Sequence, residues 1–148
     1  MGSRRTRSLG EIARIRALQR QAGEMQARRA AAALADQLGR QEAEQEKQDD
    51  RERLWREAVD GGFDLALSRA WSGAVAEGLQ ELATVGAIVA EARLESDSAA
   101  RALQAAHAKS EAADTLEQRA DRRDRRALEN RSFLDLSDHF ARRRGHED

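Results

Sequence analysis

The sequence predicts an all-α protein, a long antiparallel two-helix coiled-coil hairpin in which the second helix overhangs the first. The 148 residues include no proline, which costs ~3 kcal/mol or more inside a helix. Charged residues make up 36% of the chain and aromatic residues only 3%, and much of the apolar fraction is alanine. At ~25 cal/mol per Å² of apolar surface, alanine drives a narrow helix–helix seam better than a compact core. The one strong break in the helical pattern is the pair Gly61-Gly62.

The N-terminal part predicts a basic arm over residues 1–8 and a first helix over residues 9–59. Ser8 followed by Glu11 is the pattern of a capping box at a helix start. The seam of this helix is predicted from two sets of apolar and polar positions. The first set keeps its own register, the second has continuous heptad a/d spacing, and the phase changes between them, before Ala27. The early register comprises Leu18, Ala22 and Met25, and the later spacing comprises Ala27, Ala31, Leu34, Leu38, Gln41, Gln45, Gln48, Glu52, Trp55 and Val59.

The segment 60–64 predicts the turn, because adjacent glycines supply the positive φ angles that end a helix. The acids at its two ends suit the start of the next helix, where the helix dipole favours negative charge. The second helix is expected over residues 65–144, followed by a tail over 145–148. Its seam has heptad spacing through Trp71, Val75, Gly78, Leu82, Val85, Val89 and Ala92, and continues weakly through Ala99, Leu103, Ala106 and Ala113.

Folding at the two glycines places residue i opposite residue 123 − i, to a first approximation. Trp55 then lies near Ser68 and one turn from Trp71, so the two tryptophans either pack together close to the turn or form an exposed docking patch there. Ile12 meets the region of Glu111. Helix 2 beyond about Thr115 is then unpaired, and a helix with an exposed apolar face needs a partner.

Two further features of the unpaired part follow from residue type and charge. Asn130, Ser132 and Asp135 favour helix caps over helix interiors, so a kink near 130–132 is left open. Residues 1–29 carry eight arginines and two glutamates (+6), residues 30–116 nine basic and seventeen acidic groups (−8), and residues 117–144 nine and six (+3). A hairpin brings both basic segments to one end, and such a distribution steers partners.

Several function classes are disfavoured by the residues present. The chain has no cysteine, and its three histidines lack metal-ligand spacing, so we expect no metal and no cofactor. Two long helices offer no dry pocket for catalysis, so we expect no enzyme activity. Few aromatic residues accompany the arginines, which argues against nucleic acid, although a binder of nucleic acid or of an anionic membrane surface stays as a third hypothesis. No run has the ~18–20 apolar residues of a membrane span, so we expect a soluble protein.

The C-terminal segment resembles the signature of the flagellar and type III export stalk proteins, the FliJ/YscO family. That family commonly ends in an acidic residue and a basic residue, followed by an acidic-x-Phe-Ala-x-Arg type of run. The total length and the longer second helix are also similar. The residues that carry the resemblance, and that it implies as the partner-binding site, are Glu129, Arg131, Asp138, Phe140, Ala141 and Arg143.

The resemblance implies a non-enzymatic stalk in the cytoplasm, associated peripherally with an inner-membrane export apparatus. The partners it implies are a hexameric export ATPase, which receives the joined terminal end, the membrane protein of the export gate, and export chaperones. Leu128, Phe133 and Leu136 are alternative apolar contacts at the ATPase end, and Trp55 and Trp71 are weaker candidates for a partner at the turn end. The competing hypothesis is a generic coiled-coil scaffold or a homodimerising interaction protein.

Overall fold

The chain is an all-α antiparallel hairpin of two long helices, as the sequence predicts. The structure is a computed structural model that describes residues 4–62 and 64–144. Helix α1 spans Arg4–Asp60 and helix α2 spans Leu65–Arg144. The first residues of the expected arm, Phe63 of the turn and the expected tail 145–148 lie outside the described residues. No described helix combines the length and apolarity needed to cross a bilayer.

Helix α1 begins earlier than its sequence indicates, so the expected arm over residues 1–8 is wrong for residues 4–8. Ser8 does not cap the helix, because its Oγ donates a hydrogen bond to the carbonyl oxygen of Arg4 at 3.1 Å, one turn back inside α1. Tertiary contact explains the extension. Thr6 is buried, and its hydroxyl donates to the Asp124 carboxylate at 2.6 Å, which stabilises the first turn against α2.

The turn falls at the predicted glycine pair, but only one of the two described glycines has a positive φ angle. Gly62 has a φ of 137°, a conformation that L side chains rarely adopt. The Gly61 amide donates to the Glu57 carbonyl oxygen at 2.9 Å and so satisfies a carbonyl at the end of α1. Asp64 is the N-cap of α2: its Oδ1 accepts from the amides of Ala66 at 2.9 Å and Leu67 at 3.4 Å.

The hairpin divides into two compact units, each containing part of both helices. Unit 1 comprises Met1–Gly23 and Leu103–Asp148, and unit 2 comprises Glu24–Ala102.

In unit 2, the α2 side of the seam matches the heptad prediction. Val89 is only 4% exposed, and the covered positions recur every three or four residues. Apolar and small residues share this side. The covered positions are Trp71, Val75, Gly78, Leu82, Val85, Val89, Ala92, Ser96 and Ala99.

On the α1 side of the seam in unit 2, seven of the ten predicted positions are covered and three are exposed. The positions Ala27, Leu34, Gln41, Gln48 and Trp55 are covered as predicted, and Leu38 and Glu52 are half-buried. The predicted Ala31, Gln45 and Val59 are exposed, because the alternate seam positions fall one residue earlier in the chain. The residues found there are Ala30, Gln37, Glu44, Arg51 and Ala58.

The packing of Gln48 explains why α1 turns a face shifted by one residue toward α2. The Gln48 side chain is 1% exposed and its Nε2 donates to the Val75 carbonyl oxygen at 3.1 Å. The carboxamide occupies the space beside Gly78, which we call the notch. A Cβ atom at Gly78 would collide with Gln48 Oε1. With Gln48 held in this notch, Glu44 and Arg51 face α2 in place of Gln45.

The charged groups beside this notch form ion pairs within and between the helices. Arg51 Nη1 lies 3.3 Å from Glu81 Oε2 on α2, and Lys47 Nζ lies 2.6 Å from Glu44 Oε1. The hydrogen bond from Lys47, with the nearby charge of Arg51, holds the pKa of Glu44 below its usual value. These partly exposed pairs contribute to orientation more than to stability.

In unit 1, the predicted early register of α1 is wrong, although the change of phase is present. Leu18, Ala22 and Met25 are exposed. Polar anchoring sets the covered face instead: Thr6 bonds Asp124, and the Glu117 carboxylate lies against Gly10. The covered positions of unit 1 are Thr6, Gly10, Ala13, Ala17, Arg20 and Gly23 on α1, and Leu103, Ala106, Ser110, Ala113, Glu117, Ala120 and Asp124 on α2. Gly23 and Glu24 are both partly covered, and from Ala27 onward the spacing of three and four residues is regular, so the change of phase lies before Ala27, as predicted.

The register of the hairpin also differs from the expected one. Gly23 faces Leu103 and Gly10 faces Glu117, so facing residue numbers add to about 126–127 and not to 123. The turn spans four residues, Gly61 to Asp64, and its centre therefore lies beyond the glycine pair. As a result Ile12 does not face Glu111, and the pairing of α2 continues past Thr115 to Asp124.

Candidate partner-binding surface

Residues 125–143 of α2, here called the overhang, continue past the last contact with α1. Every one of these residues is exposed. The helix is continuous through residues 130–132, so the kink that the sequence left open is not formed. Ser132 Oγ donates to the Glu129 carbonyl oxygen and Ser137 Oγ to the Leu134 carbonyl oxygen, each at 2.9 Å. Both hydroxyls are therefore hydrogen-bonded to the backbone of their own helix.

The overhang exposes an apolar face. Phe133 is 72% exposed, Leu136 56% and Phe140 61%. Their spacing of three and four residues places them within about 60° of one another around a helix of 3.6 residues per turn. Together with Ser137 and Ala141 they line a shallow groove. The ring of His139 packs edge-on to Phe140, with centroids 6.3 Å apart and an interplanar angle of 66°.

A charged residue extends this face at each end. Glu129 precedes Phe133 by four residues and Arg143 follows Phe140 by three, so the set keeps a 4-3-4-3 spacing on one side of the helix. We call these five positions the terminal stripe: Glu129, Phe133, Leu136, Phe140 and Arg143.

The terminal stripe lies on the side of α2 away from the intramolecular seam. Measured around the helix from Asp124, the last seam residue, Phe133, Leu136 and Phe140 are rotated by about 120–180° at ~100° per residue. The seam itself, extended past Asp124, would pass through Leu134. The exposed apolar face is therefore a separate surface and not the seam left open by the shorter α1.

The structure divides the six residues that the sequence resemblance indicated. Glu129, Phe140 and Arg143 belong to the terminal stripe, and Ala141 borders the groove. Arg131 and Asp138 lie on the opposite side of the helix, near the line of the extended seam. One surface can thus use four of the six residues.

Two central residues of this surface are not among the six that the sequence resemblance indicates. Phe133 and Leu136 were expected only as alternative contacts, and Ser137 was not expected at all, yet these three line the groove with Phe140. The 4-3-4-3 spacing from Glu129 to Arg143 is the signal that identifies them. Leu128, the third alternative, is exposed but lies outside the groove.

At the turn end, Trp55 and Trp71 are half-buried in the seam of unit 2. The indole Nε1–H of Trp55 is buried and has no hydrogen-bond partner among the described residues. Both of the predicted roles, packing of the two tryptophans against each other and docking of a partner, stay predictions. The exposed apolar side chains near the turn are Val59, Leu65 and Leu67.

Histidine, aspartate and glutamate are the residues of this chain that could bind a metal ion. His107 is half-buried in unit 1, His139 lies on the overhang, and His146 is outside the described residues. In residues 4–62 and 64–144, no group of three or more histidine, aspartate or glutamate side chains could hold a metal ion. The expectation of a chain without metal or cofactor stays a prediction.

Comparisons with known protein families, curated proteins and solved structures found no match to this chain. The resemblance to the export stalk family therefore rests on the C-terminal residues and on the two-helix architecture.

Proposed function

We propose that this chain is a non-enzymatic stalk or adaptor of a bacterial flagellar or type III export apparatus. The end that carries both termini inserts into a hexameric export ATPase, and the chain couples that ATPase to the export gate and to export chaperones. It works in the cytoplasm at the periphery of the membrane complex. The observation that carries the proposal is the overhang, an unpaired helix that exposes two phenylalanines and a leucine on one face.

Physical chemistry favours a protein partner for this surface. Large exposed apolar side chains on one helix face are a binding mode in which i, i+3 and i+7 anchors enter a groove. Aromatic side chains and arginine are the residues that most often carry interface energy. The terminal stripe supplies both types on one face of a continuous helix.

The distribution of charge also favours the end that carries both termini as the docking end. The N-terminal part of α1 and the C-terminal part of α2 belong to the same unit. Residues 1–29 carry a balance of +6 and residues 117–144 a balance of +3. Such a concentration of arginine raises the rate of encounter with an acidic surface at low ionic strength.

The proposal is tested with Phe140→Ala and a purified hexameric export ATPase of the same bacterium. We expect the substitution to weaken binding about 10-fold or more, since an exposed aromatic anchor is lost. Helix content should stay nearly unchanged, because Phe140 has no role in the seam. Titration calorimetry measures the affinity and far-ultraviolet circular dichroism the helix content.

Leu134→Ala is the matched control, because Leu134 is as exposed as Phe140 and faces the other side of the overhang. It should leave the affinity within about 2-fold of the unsubstituted chain. Equal weakening by both substitutions would show that the terminal stripe is not the docking face. Failure of the unsubstituted chain to bind any export ATPase would leave the generic scaffold as the better account.

A further inference from the structure

The terminal stripe has a property that docking to an unrelated protein does not require. Its ends carry opposite charges, Glu129 at one end and Arg143 at the other, and its centre carries three apolar side chains. In the described residues, neither charged side chain forms an ion pair. The stripe is therefore a short seam with an unpaired charge at each end.

The order of these residues is complementary to itself when reversed. Placed antiparallel on a second copy, with Leu136 near the two-fold axis, Phe133 of one chain lies within about a turn of Phe140 of the other. The same placement brings Glu129 of each chain near Arg143 of the other. Such isologous contacts are the usual form of a symmetric dimer. We propose that the terminal stripe binds the terminal stripe of a second copy of this chain in antiparallel orientation.

The charges at the two ends of the stripe favour a second copy of the chain as the partner, and an antiparallel orientation of that copy. In a parallel pair, Glu129 would face Glu129 and Arg143 would face Arg143, and like charges at coiled-coil positions are destabilising. An anionic membrane surface fits less well, because the carboxylate of Glu129 lies on the face that would enter the lipid interface. An antiparallel second copy neutralises both charges and covers all three apolar side chains.

The size of the stripe determines how tightly it binds. From Glu129 to Arg143 it extends about 21 Å along the helix at 1.5 Å per residue. Two helices packed over that length bury less than the ~1,200 Å² of a standard stable interface. The dimer is therefore weak, with a Kd above about 1 µM, and forms in a concentration-dependent way.

This inference does not rest on the export function. If the export ATPase does bind the terminal stripe, the second copy and the ATPase compete for one face. The chain would then self-associate when it is in excess over its partner, and the partner would dissociate the dimer by mass action.

Two leucines of the overhang give a matched test. Leu136 lies at the centre of the stripe and Leu134 on the opposite face, and their exposures are similar, 56% and 61%. Sedimentation equilibrium over a range of protein concentrations should show a monomer–dimer equilibrium for the unsubstituted chain. Leu136→Asp should weaken it about 10-fold or more, because it buries a carboxylate at the axis, whereas Leu134→Asp should leave it unchanged.

Charge reversal tests the orientation. Glu129→Arg and Arg143→Glu should each abolish self-association, since each places like charges opposite one another at both ends. A mixture of the two variants should associate again, because one chain then carries two positive ends and the other two negative ends. The double variant E129R/R143E should restore self-association within one chain.

Three results would overturn the proposal. The first is a chain that stays monomeric at the highest concentration, whether or not it binds vesicles of anionic lipid. The second is a dimer that Leu134→Asp weakens as much as Leu136→Asp does. The third is a dimer that survives both single charge reversals. Because no ATPase is present, none of these results bears on the proposed function.

Discussion

Helix α2 has a paired stretch that ends at Asp124 and an unpaired overhang, and the two differ in whether their large apolar side chains are covered. Along the seam, alanine, glycine and serine fill about half of the covered positions, and the larger apolar side chains there, such as Val89, are buried or half-buried. The overhang holds two of the three phenylalanines of the chain, both largely exposed. Large apolar side chains of the seam are thus packed between the two helices, whereas those of the overhang form a surface that no described residue covers.

The largest expected change comes from the turn, which decides whether there is a paired stretch at all. Replacing Gly61 and Gly62 together with alanine should favour one continuous helix and a dimer of extended chains. The φ of 137° at Gly62 is strained for any L side chain, whereas alanine stabilises the alternative helix by about 1 kcal/mol per glycine replaced. Light scattering coupled to size exclusion measures the mass, and a double variant that stays a compact monomer would contradict this role.

The next effect concerns the notch that holds Gln48. Gly78→Leu should lower the free energy of unfolding by about 2 kcal/mol, because the added side chain displaces the buried carboxamide and overpacks the seam. Gly73→Ala is the control: its Cβ meets nothing within 4 Å, and it should raise the free energy of unfolding by about 0.5–1 kcal/mol. Urea denaturation followed by circular dichroism measures both. A Gly78→Leu chain of unchanged stability would show that the notch does not set the register.

A smaller pair of substitutions compares the two regions directly. Val89→Ala should lower the free energy of unfolding by about 1–2 kcal/mol, because it removes two methyl groups from the seam. Phe133→Ala, although it removes far more apolar surface, should change that free energy by less than about 0.5 kcal/mol, because its side chain is already in water. Equal losses would mean that the overhang packs against another part of the chain.

The fold could be predicted because its causes are local. The absence of proline, the glycine pair and the heptad spacing from Trp71 to Ala92 each act within a few residues. The sequence could not predict which face of α1 packs against α2, because the three glutamines Gln41, Gln45 and Gln48 fit a heptad position equally well. The interaction of Gln48 with the notch at Gly78 chooses among them, and that contact joins residues thirty positions apart.

The start of α1 and the extent of the overhang were missed for the same reason. A serine followed by a glutamate is a local capping signal, but the contact between Thr6 and Asp124 overrides it. For the candidate site, the resemblance indicated the right segment without its geometry. Helical periodicity separates Phe140 and Arg143 from Arg131 and Asp138, and only the end of the pairing at Asp124 shows which face remains free of the seam.

The difference between the paired stretch and the overhang is tested most directly by amide hydrogen exchange on dilute, unsubstituted protein. We expect strong protection around Val89 and Ala113, where the two helices pack, and fast exchange over residues 125–143, where a single helix frays. Protection of the overhang as strong as that of the seam, in a monomer without a partner, would show that residues 125–143 are not an unpaired helix.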